Sequence, residues 1–506
     1  MSDDTEQLEP QSARPEEAEE AQSSKPTFNH QYEEIHGDTT PDQSENSLSC
    51  LVPKRYIVAF MAFLGFANTY ALRVNLSVAI VAMTNNKTIH INNTYTVVKP
   101  PDYDWDLELQ GHILSSFFWG YIITQLPGGF LANHYGGKYF FGGGIFITAV
   151  LALLTPLFVT WSVYLLISVR VLQGFCEGVT YPAIHAIWSK WAPPQEKTKL
   201  ALFAFSGSYI GTVVALPISG ALGRSAAGWP SIFYVFGSLA VLWFMVWCII
   251  ITESPAKHQS ITNAELEYIQ QNIGYTDEQT KRIHPPWSQL LTSLPVWALV
   301  AAHFAENWGF YTWLAELPTF MNNVLRFNIE SSGFLSALPY LVMGFVVIFC
   351  GQLADMLRNT FGVSTTIVRK LFTCGAFAIQ AVFMITAGYL LTPVAAITCL
   401  TIAVGLGGFA WAGIGVNHLD IAPQYASILM GLSNTFATLP GIVSPSLTGV
   451  IVQEGGTDKW RIVFYLAASI YGLGGVIFGV FGSGDRQKWA EIPLGYQPHL
   501  DDPERD

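Results

Sequence analysis

Charged residues are scarce in this chain. Only 12% of its 506 residues are charged, whereas a soluble protein carries about 25%, and 51% are hydrophobic. This shortage excludes an ordinary cytosolic enzyme and a disordered scaffold, and the net charge of −12 excludes a basic nucleic-acid-binding protein. With a mean hydropathy of +0.34, the composition predicts a protein whose main solvent is lipid.

Cysteines are few, and the motifs of enzymes are missing. The six cysteines show no Cys-x-x-Cys spacing, and five lie within apolar segments, so we expect neither a disulfide framework nor a metal site. The run Gly142–Gly144 lacks the Lys-Ser/Thr of a phosphate-binding loop, and the sequence has no nucleophile elbow or nucleotide fingerprint. We therefore expect a protein that is not an enzyme and that needs no cofactor other than a coupling ion.

The first fifty residues carry most of the charge. They hold thirteen Asp or Glu residues against Arg14 and Lys25, which is −11 of the total −12. Such a segment cannot bury a core, so residues 1–53 are predicted to be a disordered cytosolic tail. No basic stretch followed by an apolar one opens the chain, and we expect no cleavable signal peptide. Tyr32-Glu-Glu-Ile35 matches a Tyr-x-x-apolar sorting signal, which predicts sorting adaptors as partners.

Twelve segments are long and apolar enough to span a bilayer. The longest polar interruption, 253–288, divides them six and six. We predict an all-α membrane protein with twelve transmembrane helices in two six-helix halves (54–252 and 289–482), a central cytosolic loop at 253–288 and a cytosolic tail at 483–506. The segments lie at about 56–83, 109–132, 139–159, 162–190, 200–222, 231–252, 294–321, 331–354, 370–391, 394–417, 425–452 and 462–482.

The distribution of Lys and Arg predicts that both tails are cytosolic. With that orientation about seventeen of the 25 basic residues face the cytosol and six lie on the opposite side. The first loop on the opposite side carries two glycosylation sequons, at Asn86 and Asn92, which favour the same orientation. We expect a multi-pass protein of a lysosomal, vesicular or plasma membrane.

A short repeat occupies the same place in both predicted halves. Gly129-Phe-Leu-Ala-Asn133 follows the second apolar segment, and Gly351-Gln-Leu-Ala-Asp355 follows the eighth. Many secondary transporters are built from repeated halves, with the substrate site between them near the membrane midplane. The repeat therefore favours a secondary transporter.

Several charges lie inside apolar segments, where a charge is costly and usually functional. Arg73 lies in the first segment, close to Asn75, and we expect it to bind a substrate anion. The alternative is that Arg73 snorkels to the membrane interface. Glu306, in the seventh segment, has three open interpretations: it belongs to the proton path, it coordinates a cation, or it faces water.

The fourth segment places polar residues on one helical face. Arg170 and Glu177 are seven residues apart, with Gln173 between them, and seven residues return to the same face about 10 Å along the axis. A carboxyl group in a dry cavity can take up and release a proton near physiological pH, so Glu177 is predicted to couple transport to protons. The alternative is a fixed Arg170–Glu177 ion pair. Gly174 and Gly178 predict the close approach of another helix.

Four longer motifs carry a resemblance to a known family: Ser116-Phe-Phe-Trp-Gly-Tyr-Ile-Ile-Thr-Gln-Leu-Pro-Gly-Gly129, Glu177-Gly-Val-Thr-Tyr-Pro182, Trp188-Ser-Lys-Trp-Ala-Pro-Pro194 and Asn417-His-Leu-Asp-Ile-Ala-Pro423. They resemble the organic anion/phosphate (anion:cation symporter) transporters in the major facilitator superfamily, which include sialin, the vesicular glutamate transporters and the type I sodium–phosphate cotransporters. The likeness covers about residues 54–490. Two further stretches, 70–77 and 434–441, are most similar to the sialin branch.

The resemblance implies proton-coupled transport of sialic acid or of acidic amino acids such as glutamate and aspartate. It also implies substrate and coupling roles at positions that here are Arg73, Arg170, Glu177, His185 and Lys199. Together with the polar residues and the repeat, it predicts substrate binding by Arg73, Arg170, Asn75 and Tyr70, proton coupling by Glu177, His185 and Glu306, and gating by Asn133, Lys199, Asp355 and Arg358.

Three departures from the family bear on the substrate. The vesicular glutamate carriers have His where Leu114 stands and Arg where Glu306 stands, which argues against a dedicated glutamate carrier. Sialin has Glu where Gln173 stands, so a coupling mechanism identical to sialin's is not implied. The alternatives are a sodium-dependent inorganic phosphate cotransporter, a non-transporting membrane sensor that binds the anion, and an anion channel.

Overall fold

The computed structural model describes residues 52–84, 87–91, 95–273, 285–323, 329–390, 392–452 and 456–491. The predicted glycosylation sites Asn86 and Asn92 and the sorting signal Tyr32–Ile35 lie outside these residues.

Among the described residues, the first half of the chain forms seven α-helices and one small hairpin. The hairpin pairs β1 (Lys87–Ile91) with β2 (Tyr95–Lys99) in antiparallel register, with Lys87 opposite Lys99. It follows the first helix and is an addition to the predicted all-α fold. The helices are α1 (Lys54–Thr84), α2 (Leu107–Tyr135), α3 (Gly137–Trp161), α4 (Val163–Glu177), α5 (Thr180–Trp191), α6 (Lys197–Arg224) and α7 (Pro230–Ile250).

Among the described residues, the second half begins with two short helices and then forms seven longer ones, as the first half does. The short helices are α8 (Asn263–Ile273) and α9 (Trp287–Thr292). The long ones are α10 (Leu294–Asn323), α11 (Ile329–Asn359), α12 (Thr365–Tyr389), α13 (Pro393–Leu406), α14 (Gly408–Ile421), α15 (Ala426–Val452) and α16 (Thr457–Phe481).

The described residues contain twelve segments of membrane-spanning length. Ten of them are also strongly apolar, when α4 with α5 and α13 with α14 are each counted as one interrupted segment. The other two, α2 and α10, carry buried polar side chains, among them Gln125 on α2 and His303 and Asn307 on α10. The prediction of a twelve-helix membrane protein is therefore confirmed.

Two spans are interrupted at equivalent places in the two halves. The helix breaks between α4 and α5 at Gly178, and between α13 and α14 at Gly407. Both glycines keep right-handed helical backbone angles, with φ −58° and ψ −23° at Gly178 and φ −53° and ψ −27° at Gly407, so neither span is unwound there. Both breaks have an acidic residue beside them. Glu177 is the last residue of α4, and a Cβ atom at Gly407 would lie 3.0 Å from Glu306 Oε1.

The two halves meet closely at the bundle end where α1 begins and α16 ends, here called the tail side. There α2 packs on α15 and α6 packs on α11. A Cβ atom at Gly129 would overlap the Ser427 carbonyl oxygen, and one at Gly431 would overlap the Gln125 carbonyl oxygen. Glycine at these two positions lets the backbones of opposite halves touch.

The segment between the halves is anchored to the first half. Glu253 accepts hydrogen bonds from the backbone N–H groups of Gly137 (3.1 Å) and Lys138 (3.0 Å) at the start of α3. Glu265 on α8 does the same at the start of α1, with Lys54 N at 2.9 Å and Arg55 N at 3.1 Å. Each carboxylate satisfies helix N–H groups that lack an internal partner and lies at the positive end of a helix dipole.

Candidate functional site

A small cavity with room for about one water molecule lies between the two halves. Both halves contribute to its lining, which consists of tyrosines, two further aromatic rings without a hydroxyl group and two carboxamides. The lining residues are Tyr70, Tyr121, Tyr181, Tyr209, Asn307, Phe310, Tyr311, Trp411 and Asn434.

Arg73 stands behind this lining. Its guanidinium carbon lies 4.6 Å from the ring centre of Tyr70, 4.8 Å from that of Phe117 and 4.9 Å from that of Tyr121. Its Nε donates to Glu177 Oε1 at 3.0 Å, and its Nη2 donates to the same oxygen. Arg73 therefore does not snorkel to the membrane interface, because its cation is held inside the bundle by an anion and three aromatic faces.

Glu177 is bonded to Arg73 on one side only. The side chain is 1% exposed. Oε1 takes both bonds from Arg73, whereas Oε2 has no hydrogen-bond partner among the described residues. A buried carboxylate oxygen without a partner carries a high desolvation cost, which a proton on that oxygen would remove.

Arg170 does not form the ion pair that the sequence suggested as an alternative. Its Nη1 donates to Gln173 Oε1 at 2.9 Å, and its Nε has no partner among the described residues. The guanidinium also lies 5.1 Å from the ring centre of Phe117, the ring that Arg73 contacts as well. The alternative prediction of an Arg170–Glu177 ion pair is therefore wrong, because Arg73, on α1, binds the Glu177 carboxylate. Arg170 keeps an unused donor.

The other two predicted substrate ligands have different surroundings. Tyr70 lines the cavity, and its hydroxyl lies 3.2 Å from that of Tyr181. Asn75 is 1% exposed and is not among the cavity-lining residues. Neither its side-chain nitrogen nor its oxygen has a partner among the described residues.

Glu306 is buried and does not face water. Its Oε2 accepts a hydrogen bond from Gln380 Nε2 at 3.0 Å. It neighbours Asn307, which lines the cavity. The interpretation of Glu306 as a solvent-facing residue is therefore excluded by its burial, and the other two interpretations stay predictions.

His185 links the two halves. Its Nδ1 lies 3.0 Å from the Tyr181 carbonyl oxygen on its own helix, and its Nε2 lies 3.0 Å from the Gly415 carbonyl oxygen on α14. It does not line the cavity, so any role of His185 is exerted at the contact between the halves.

The four predicted gating residues lie at the tail side and contact the opposite half or its connecting loop. Asn133 Oδ1 accepts a hydrogen bond from Ser427 Oγ at 3.4 Å, in the first turn of α15. Asp355 Oδ2 accepts one from the Lys199 backbone N–H at 2.8 Å, in the first turn of α6. Arg358 donates to the Pro194 carbonyl oxygen at 3.0 Å. The two copies of the sequence repeat thus bind the first turn of the equivalent helix in the other half.

Sequence reasoning missed an ionic cluster between the halves. Lys197 Nζ lies 2.5 Å from Asp420 Oδ1, and Arg369 Nε donates to Asp420 Oδ2 at 2.6 Å. Arg369 also reaches Thr198 Oγ1 at 3.1 Å. The ninth apolar segment starts at about residue 370, which puts Arg369 in a loop, but α12 begins at Thr365. The first five residues of α12 include two threonines and Arg369, so their hydropathy is too low to show that the helix starts earlier.

Comparison with known proteins agrees with this architecture. The model of the Major Facilitator Superfamily matches residues 56–445. The chain belongs to the Major Facilitator Superfamily. Members of this superfamily are transporters, which confirms the prediction that the protein is not an enzyme.

Curated relatives narrow the family. Vesicular glutamate transporter 2 of Homo sapiens is 45% identical over 444 residues, which cover 87% of this chain and 76% of the relative. Vesicular glutamate transporter 1 of Bos taurus is 46% identical over 447 residues, which cover 87% of this chain and 79% of the relative. The chain is thus a member of the anion:cation symporter family, as its motifs predicted.

Solved structures share the fold. A double-Trp mutant of XylE aligns with a TM-score of 0.67 at 14% identity, covering 86% of this chain and 97% of that one. A variant of the E. coli fucose:proton symporter FucP aligns with a TM-score of 0.59 at 12% identity, and the alignment covers 83% of this chain and 98% of that one. At these identities the likeness establishes the twelve-helix fold alone.

Proposed function

We propose that this protein is a secondary active transporter that moves a small organic anion together with protons. The observation that carries the proposal is the Arg73–Glu177 pair beside the cavity. Its guanidinium is the right group for a carboxylate, and its present partner is a buried carboxyl group that can be neutralised by one proton.

The pair supplies a coupling mechanism. When Glu177 takes up a proton on its unpartnered oxygen, it loses the charge that holds Arg73, and the guanidinium becomes available to a substrate carboxylate. When the proton leaves, the Glu177 carboxylate competes for Arg73 and displaces the substrate. Anion and proton therefore bind together and leave together, which is the requirement for symport.

The lining of the cavity supports a polar organic anion over inorganic phosphate. Tyrosine hydroxyls and the carboxamides of Asn307 and Asn434 can bind hydroxyl, amide or amino groups of a substrate. The aromatic faces can pack on its carbon skeleton. Sialic acid and the acidic amino acids glutamate and aspartate have both features, and relatives of this chain are named as vesicular glutamate transporters.

Uptake by purified protein in liposomes tests the proposal. The radiolabelled panel contains sialate, glutamate, aspartate and phosphate, and each is offered with a pH gradient, a sodium gradient or neither. We expect saturable accumulation of at least one organic anion that requires the pH gradient. Sodium-driven phosphate uptake, flux that does not saturate, or binding without flux would each contradict it and favour the cotransporter, channel or sensor alternative respectively.

We further propose a lysosomal or vesicular membrane with both tails in the cytosol, and sorting adaptors that read Tyr32–Ile35. The basic-residue distribution and the sequons at Asn86 and Asn92 support this orientation. Replacing both asparagines by Gln should shift gel mobility as much as enzymatic deglycosylation does. A glycan that survives the double substitution would contradict the loop assignment.

A further inference from the structure

A serine hydroxyl lies between two histidines on different helices. Ser433 Oγ on α15 is 3.1 Å from His303 Nδ1 on α10 and 2.8 Å from His418 Nε2 on α14. All three side chains are buried. None of them lines the cavity, so this cluster is separate from the Arg73–Glu177 pair.

The hydroxyl has more neighbours than it has protons. Ser433 Oγ also lies 3.2 Å from the Met430 carbonyl oxygen. One O–H can donate to a single acceptor at a time, while its oxygen can accept from either imidazole. The bridge can therefore be directed from His303 to His418 or the reverse, as a proton relay requires.

The outer nitrogens of the bridge are unoccupied. His303 Nε2 and His418 Nδ1 are buried and have no hydrogen-bond partner among the described residues. In a purely structural bridge these atoms would be expected to find acceptors, because buried polar atoms are normally paired. In a relay they are the points where a proton enters and leaves.

A third histidine packs beside the cluster at the contact between the halves. The His185 ring centre lies 5.1 Å from that of His418. Both His185 nitrogens face carbonyl oxygens, those of Tyr181 and Gly415. Carbonyl oxygens only accept hydrogen bonds, so a neutral imidazole satisfies one of them and an imidazolium satisfies both. A proton on His185 therefore strengthens its bond to the other half.

The acidic groups on the helices of this cluster have hydrogen-bond or ion-pair partners of their own. Glu306 lies one turn from His303 on α10 and is bonded to Gln380. Asp420, two residues after His418 on α14, is bound by Lys197 from α6 and Arg369 from α12. The charges of Asp420, Lys197 and Arg369 are therefore paired with one another.

We propose that His303, Ser433 and His418 form a proton relay between α10 and α14; this rests on the proposed proton-coupled transport. In one step the proton on His303 Nδ1 passes to Ser433 Oγ while the Ser433 hydroxyl proton passes to His418 Nε2. His303 goes from imidazolium to neutral imidazole, His418 goes from neutral to imidazolium, and Ser433 stays a neutral hydroxyl.

Ser433→Ala tests the relay because it removes the bridging hydroxyl and no charge. The matched control is Ser208→Ala, since Ser208 on α6 is also buried and its hydroxyl bonds the Phe205 carbonyl oxygen of its own helix at 2.6 Å. Ser433→Thr keeps a hydroxyl and serves as the rescue. Each protein is reconstituted in liposomes. Accumulation of radiolabelled glutamate and sialate under a pH gradient is compared with substrate exchange without a gradient.

We expect Ser433→Ala to keep substrate exchange within twofold of the parent and to lose at least tenfold in gradient-driven accumulation. Ser208→Ala should match the parent in both assays, and Ser433→Thr should restore most of the lost accumulation. Normal gradient-driven accumulation by Ser433→Ala would overturn the relay. If the parent itself accumulates neither substrate, the proposed function fails instead.

A second measurement tests the proposed relay without a transport assay. In ¹⁵N-histidine-labelled protein, with signals assigned by His303→Gln and His418→Gln, the two rings should titrate as a coupled pair in the parent and independently in Ser433→Ala. Independent titration in the parent would overturn the proposal, whatever the uptake assay shows.

Discussion

We expect anion binding to depend on Arg73. Three aromatic faces and one carboxylate fix a planar guanidinium beside the cavity. We expect Arg73→Lys to lose at least tenfold in uptake, because an ammonium group cannot donate two parallel bonds to a carboxylate and stacks less well on rings. Arg461→Lys, at the partly exposed pair with Asp458, is the control. Uptake of the anion panel measures both, and near-normal uptake by Arg73→Lys would show that positive charge alone suffices.

Glu177 is expected to control coupling rather than binding. Glu177→Gln imitates the protonated carboxyl permanently and leaves Arg73 free for the substrate. It should therefore retain exchange of substrate for substrate and lose accumulation driven by a pH gradient. Liposome assays with and without the gradient separate these two activities. Normal gradient-driven accumulation by the Gln variant would exclude Glu177 as the obligatory proton carrier and leave Glu306 as the next residue to test.

At the scale of helices, glycine determines how closely the two halves approach. A Cβ atom at Gly431 would overlap the Gln125 carbonyl oxygen of the opposite half, whereas one at Gly449, on the same helix α15, has nothing within 4 Å among the described residues. We expect Gly431→Ala to lower the melting temperature of the purified protein. Gly449→Ala should leave it unchanged or raise it, since alanine favours a helix by up to about 1 kcal/mol. Equal melting of the two variants would mean that the close contact is not maintained in solution.

Glu196 joins α1 to α6 at the tail side. Partial burial raises the pKa of Glu196, because it disfavours the charged carboxylate. Hydrogen bonds from Lys199, Arg55 and Tyr56 lower the pKa by more, so the pKa of Glu196 lies below its usual range. A carboxyl group whose pKa is lower in the folded state stabilises the fold above its unfolded pKa, and this contribution is lost as the pH falls through the folded pKa.

We therefore expect Glu196→Gln to melt at a lower temperature than the parent at pH 7, and the difference to shrink as the pH is lowered below about 4. Glu267→Gln, at an exposed carboxyl on α8, is the control. A melting difference that stays constant as the pH is lowered from 7 through this range would contradict the assigned ion pairing.

The elements themselves were largely predictable, and their ends were not. Hydropathy located the spans because each needs about twenty apolar residues. It did not detect the short turns at Gly178 and Gly407 that end α4 and α13, because the apolar run continues through both glycines. The start of α12 was missed for the opposite reason, because Thr365 and Arg369 continue a helix through polar residues.

At the scale of the whole molecule, an ionic cluster closes the tail side. Asp420 is the shared partner of Lys197 and Arg369 from different halves. Removing one partner of a buried ion pair typically costs about 3–5 kcal/mol, so Asp420→Asn should weaken this closure. A cysteine introduced at the buried Ser427 should then react faster with a maleimide reagent added from the tail side.

Asp458→Asn is the control for that experiment, because its carboxylate is 89% exposed in a surface pair with Arg461 and such pairs contribute about 0–1 kcal/mol. Equal labelling rates in the Asp420 variant, the Asp458 variant and the parent would show that the cluster does not hold the halves together.

The candidate site was only partly accessible to sequence reasoning. Arg73 and Glu177 were found because a charge inside an apolar segment is conspicuous. Their mutual pairing was not found, because they lie on α1 and α4 and are 104 residues apart. Tyr70 was predicted from the family resemblance, whereas the other tyrosines and the asparagines of the cavity carry no charge and in the sequence look like ordinary residues of an amphipathic helix.

The two carboxylates that hold the connecting segment have a consequence for how the chain can be divided. Since Glu253 caps α3 and Glu265 caps α1, residues up to Ile273 belong structurally with the first six spans. Two polypeptides expressed together and separated just beyond Ile273 would each keep their own helix caps. A division before Thr252 would strip the first fragment of both carboxylates and leave the starts of α1 and α3 without their acceptors.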